Sequence, residues 1–191
     1  MTVPGPASAR RLAAIPLVGA VLGVLVGGVL GRLVMFLLFL LSPGVEGVTS
    51  DDGFTMGQFT FSGSAQLLLA GAQLGFVGGI VYLGVRWLLF GPPWFRVASV
   101  ALAAGVGVGA QLVHTDGIDF VLLQPVWVSV LAFVALPALY GALLTVVAEQ
   151  RVLGGWGPTL THPLAWALRA LALVAGVLLS MQLLQKVAEL V

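Results

Sequence analysis

The chain has 191 residues, of which 60% are hydrophobic and 8% charged, with a mean hydropathy of +1.13 and a formal net charge of +1. A soluble domain carries roughly 25% charged residues, so the composition excludes a water-solvated fold and points to a chain solvated by lipid and by itself. The eight basic residues are scattered singly or as one pair, which argues against nucleic acid as a partner, and the lack of Cys excludes disulfides, thiolate metal sites, iron–sulfur clusters and Cys-anchored haem.

At the N-terminus, Arg10 and Arg11 precede an apolar run in the manner of a secretory signal. A signal's apolar core spans only about 7 to 15 residues and ends at a cleavage site, whereas this run continues to Leu41 and further apolar segments follow. The first segment is therefore expected to stay in the protein. Residues 1–15 then form a cytoplasmic tail and residues 16–191 a single transmembrane domain.

The first span is expected over 16–41, with Pro16 in its first turn, where a missing N–H costs nothing. Gly19, Gly23, Gly27 and Gly31 recur every four residues along it. Such spacing gathers small residues on one helix face and lets backbones approach closely, which matters in lipid because dispersion contacts replace the missing hydrophobic drive. Arg32 follows. A guanidinium within a bilayer costs at least about 2.5 to 3.5 kcal/mol, so Arg32 should not face lipid. Its nearest expected anions are Asp51 and Asp52 in the loop 42–64, which also holds Glu46, together with Asp116 and Asp119 further on.

A second span is expected over 65–89, bearing Gly71, Gly75 and Gly79 at four-residue spacing and the amides Gln66 and Gln73, seven residues apart on one face. Pro92 and Pro93 break the chain before a third span over 97–113, which carries Gly105, Gly109 and Gln111. The following loop, His114-Thr115-Asp116-Gly117-Ile118-Asp119, sets one imidazole and two carboxylates within six residues. His114, Asp116 and Asp119 suit a divalent metal chemically, although the spacing matches no specific metal signature and Asp-Gly also makes ordinary turns. A fourth span over 121–147 contains Pro125 and Pro137, where a kink is expected. The Gly-rich run 154–158 separates it from a fifth span over 163–185. The two histidines, His114 and His162, fall at opposite ends of the expected bundle, which disfavours a bis-histidine haem.

Arg10, Arg11, Arg86, Arg96 and Arg151 fall on one side of these spans, and the opposite loops hold Glu46, Asp51, Asp52, Asp116 and Asp119 without a basic residue until Lys186. Basic residues are retained in the cytoplasm, so the N-terminus is expected inside and the C-terminus outside. Tryptophans 87, 94, 156 and 166 then gather at the inner boundary. The phrases SDDGF and TDGIDF, each ahead of a span, hint at a duplicated unit, but the likeness ends there. With no Asn and a single Lys, the chain has the bias of a GC-rich bacterial genome, which suggests the bacterial cytoplasmic membrane.

The expected fold is an all-α integral membrane bundle of about five transmembrane helices with Gly-rich packing faces. No nucleophile elbow, phosphate loop or dinucleotide fingerprint occurs, which argues against an enzyme. Three readings remain. The first is a transport-related or channel-like protein whose outward mouth is an acidic vestibule near Arg32. The second is a non-catalytic accessory subunit packing into a larger membrane complex, or into a homo-oligomer, through its glycine faces. The third is a metal- or cofactor-binding protein using His114, Asp116 and Asp119; no cofactor is firmly implied beyond a divalent metal. The lipid bilayer is the one partner common to all three.

Overall fold

The computed structural model describes residues 6–49, 60–113, 125–157 and 159–190, and every regular element among them is helical. Helix α1 (Pro6–Gly23), a π-helical segment (Val24–Leu30) and α2 (Gly31–Leu41) run on from one another. Then come α3 (Phe61–Val85) with a 3-10 turn (Arg86–Leu88), α4 (Pro93–Leu112), α5 (Val126–Val146) with a second π-helical segment (Val147–Val152), and α6 (Pro163–Leu190). These make five helical stretches long and apolar enough to cross a membrane: Ser8–Leu41, Phe61–Leu88, Pro93–Leu112, Val126–Val152 and Pro163–Leu190.

Local chemistry sets the helix ends. Thr60 caps α3, its Oγ1 accepting a hydrogen bond from the backbone N–H of Gly63 at 3.2 Å. Pro93 opens α4 and Pro163 opens α6, each at a position whose N–H would have no helical partner. Gly91, with φ +80°, turns the chain back between α3 and α4 in a conformation that side chains resist. The first helix starts ahead of Pro16 because Ser8–Ala14 is rich in Ala, Arg and Leu, all good helix formers. Hydropathy marks where a helix turns apolar, not where it begins. Pro16 consequently lies inside α1, Pro125 caps α5 from outside, and Pro137 sits within α5.

Two pairs of helices form the body of the bundle. In the first, α1 meets α3 backbone to backbone: a Cβ added to Gly75 would stand 2.8 Å from Gly23 Cα, and one on Gly79 would stand 2.7 Å from Pro16 Cα. In the second, α4 meets α5, where a Cβ on Gly105 would lie 3.0 Å from Val134 O and one on Gly141 would lie 3.0 Å from Val100 O. Tyr140 ties the pairs together by donating its hydroxyl to Gly75 O at 2.6 Å. At one end Ile15, Tyr82, Leu144 and Ala148 make a buried apolar cluster beneath the charged groups described below.

Helix α6 lies to the side of this body. Lys186 Nζ donates to Ala110 O at 2.7 Å and Val113 O at 2.8 Å, two carbonyls at the end of α4 that have no onward helical partner. Arg169 holds the other end of α6, and most of the helix between them is exposed.

Candidate functional site

Asp51, Asp52, His114, Asp116 and Asp119 lie outside the described residues. Arg32 stands half-buried in the first turn of α2, nine residues before Leu41 or about 14 Å along the helix axis. Among the described residues, no three of His, Asp and Glu come together in a way that could hold a metal ion.

Among the described residues the densest polar cluster sits instead where α3 meets the second π-helical segment. Tyr82 on α3 and Arg86 in the 3-10 turn that continues it are four residues apart, so both side chains reach the same side. Opposite them Glu149 projects from the π-helical turn, 3% exposed. Its Oε1 accepts from Tyr82 Oη and Arg86 Nε, each at 2.9 Å, and its Oε2 accepts from Arg86 Nη2 at 2.9 Å and from the Gly157 N–H at 3.4 Å. Arg86 thus grips the carboxylate with two parallel bonds, the geometry that only a planar guanidinium provides. Its flat face also lies over Trp87, 4.7 Å from the ring centre. A Cβ on Gly157 would come within 3.1 Å of Arg86 Nη2, so glycine makes room for the loop to close over the pair.

A carboxylate offers about four lone-pair sites, and four donors occupy those of Glu149. The arrangement ties together α3, the π-helical turn and the loop beyond it. A π-helical turn is a common device for aiming one side chain out of a regular helix. Here it brings Glu149 to Arg86.

Two further arginines hold the neighbouring loops through neutral acceptors. Arg96 donates to Gly91 O at 3.0 Å, Gly157 O at 2.8 Å and Thr159 Oγ1 at 3.0 Å. Arg169 is 5% exposed and donates to Leu88 O at 2.7 Å and Leu160 O at 2.8 Å, with its guanidinium over the rings of Trp166 and Phe90. Its Nη1 is buried without a hydrogen-bond partner among the described residues. Sequence reasoning missed both the Arg86–Glu149 pair and the placement of Arg169. The available signal was slight: Tyr82 and Arg86 lie four apart, and Glu149 is the only acid among the arginines of that end.

The span amides face outward. Gln66, Gln73 and Gln111 are all exposed, and among the described residues no hydrogen bond joins the side chain of Gln73 to another group. Gln73 is twelve residues into Phe61–Leu88, about 18 Å along the axis and near the middle of that span.

The glycines divide by what they approach. Gly19 and Gly23 stand against the backbone of Gly71 and Gly75, Gly79 against that of Pro16, and Gly105 and Gly109 against Val134. Gly27 is exposed, its would-be Cβ no closer than 3.5 Å to Gly71 Cα, and the adjacent Gly28 takes the inward position, 3.0 Å from Leu68 Cα. Gly31 is buried but loosely surrounded, its nearest neighbour Val26 O at 3.8 Å.

Fold and cluster together define an all-helical, multi-pass bundle with a locked arginine-rich end. Comparison with protein-family models, with curated proteins and with solved structures found no match for the chain.

Proposed function

We propose that this protein is a non-catalytic subunit of a membrane assembly, lying in the bacterial cytoplasmic membrane with its N-terminus inside, and that the outward face of α3 receives a transmembrane helix. The single observation behind this reading is Gln73: an amide near the middle of an apolar span, exposed on the bundle surface and without a hydrogen-bond partner among the described residues. Lipid tails offer such a group no partner, and an unsatisfied amide in an apolar medium costs several kcal/mol. A polar group on a neighbouring helix removes that cost. The glycines between α1 and α3 support the same reading, since they hold the bundle together from within, and the opposite side of α3 is exposed among the described residues. Orientation rests on Arg10, Arg11, Arg86, Arg96 and Arg151, which fall on one side of the expected spans.

A photo-reactive side chain at Leu74, beside Gln73 and 72% exposed, tests the reading in intact membranes. A discrete protein–protein adduct is expected. Reaction with lipid alone would remove the support.

A transport-related role is the second reading, favoured by Arg32 standing half-buried inside Ser8–Leu41, the longest of the described spans. Ion flux into vesicles containing the purified protein, abolished by Arg32→Gln, is the result that would favour it. An outer metal site at His114, Asp116 and Asp119 stays a sequence proposal, tested by metal analysis of the purified protein.

A further inference from the structure

The uncovered face of α3 has more order than one amide. Gln66, Leu69, Gln73, Val77, Ile80 and Gly84 recur every three or four residues and are all exposed, the spacing of a seam between two helices. They lie on the side of α3 opposite Gly71, Gly75 and Gly79, which are buried. At Gly84 an added Cβ would meet nothing within 4 Å, so a neighbouring backbone can approach closely there.

We propose that this face pairs with the same face of a second copy about a two-fold axis along the membrane normal, giving a parallel homodimer; the proposal rests on the reading of α3 as a docking helix. The choice of a second copy follows from the chemistry of the amide. A primary amide is both donor and acceptor, so it complements itself. A two-fold axis parallel to the helices sets every residue opposite its own counterpart at the same depth. Gln73 therefore meets Gln73, and Gln66 meets Gln66 about 10 Å away along the axis, with no adjustment of register. A foreign helix would need two polar groups at that same seven-residue interval. Leu69 and Val77 fill the levels on either side of Gln73, and Gly84 lets the helices converge near the arginine-rich end.

The native chain lacks Cys, so single substitutions report on one contact each. Leu69→Cys and Val77→Cys, oxidised in membranes, should each form a disulfide-linked dimer of this chain, while Leu173→Cys on the exposed side of α6 should not. In detergent, Gln73→Leu should raise the dimer dissociation constant about tenfold, given the usual strength of two interhelical hydrogen bonds, and Gln73→Asn should restore most of the affinity. Thermal unfolding of the monomer should be unchanged by either, because the side chain faces out of the bundle. Adducts from Leu69 or Val77 that contain only a foreign membrane protein would overturn self-pairing and leave α3 a docking helix. A protein that stays monomeric at every concentration, without adducts at Leu69, Leu74 or Val77, would overturn both.

Discussion

Glu149 is the residue on which the arginine-rich end depends. Removing one partner of a buried ion pair leaves the other charge uncompensated, at a cost of about 3–5 kcal/mol, whereas losing a single hydrogen bond to a charged group costs about 1.5–3 kcal/mol. Glu149→Ala should therefore lower stability in detergent far more than Tyr82→Phe, as thermal unfolding would register. Adding Arg86→Met to Glu149→Ala should recover a large part of the loss, and strict additivity of the two substitutions would contradict the pairing. Tyr140→Phe belongs at the mild extreme, since interhelical hydrogen bonds average about 0.6 kcal/mol. Much of this lay beyond the sequence. The arginines could be assigned to one side from their loops, but no spacing rule joins Arg86 to a carboxylate 63 residues away. Arg169 is harder still, because its partners are the carbonyls of Leu88 and Leu160. Every residue carries a carbonyl, so sequence cannot mark which ones a side chain will find.

Among elements, the π-helical segment Val24–Leu30 has the largest effect on packing. A four-residue glycine series in an ideal helix keeps one face over a few turns, and that regularity is what the sequence displays at Gly19, Gly23, Gly27 and Gly31. Widening the helix over Val24–Leu30 rotates the chain, so the inward position passes from Gly23 to Gly28. Gly23→Ala should thus destabilise the protein by about 1–3 kcal/mol, because its Cβ would press on the α3 backbone. Gly27→Ala should be neutral or stabilising by up to about 1 kcal/mol, the usual gain on replacing a helical glycine. Equal losses at both positions in a detergent melting experiment would mean that the two residues share a face. Helix number was legible because five apolar runs are long enough to span a bilayer. The π-helical turns were not, since they answer to contacts between helices and leave no periodic trace.

For the molecule as a whole, the proposed orientation has a direct test. A Cys at Ser50 should react with an impermeant thiol reagent in intact cells, and one at Gln150 only after the membrane is opened. The reverse pattern would invert the topology. Hydropathy and arginine placement were sufficient to frame that expectation, but which helices pair was not readable, because all five are apolar on most sides. The pairing of α1 with α3 depends on where two glycine-lined backbones meet and that of α4 with α5 on where Gly105, Gly109 and Gly141 meet larger residues, while four-residue glycine spacing occurs in three of the spans. The expected outer cluster at Asp51, Asp52, His114, Asp116 and Asp119 stands on sequence alone.

Two polar anchors of helix α6, Arg169 and Lys186, stand seventeen residues or about 26 Å apart, and Leu183, Val187 and Leu190 add apolar contacts to Val113 and Val130. Both fastenings are hydrogen bonds to the main chain of its neighbours, and the stretch between them is mostly exposed. Anchors near both ends should make the tilt of this helix follow the positions of Leu88 and Ala110 more than the thickness of the surrounding lipid. Where the bilayer is thinner or thicker than the bundle, this edge of the protein should lean little, and the lipid is then expected to adjust around it.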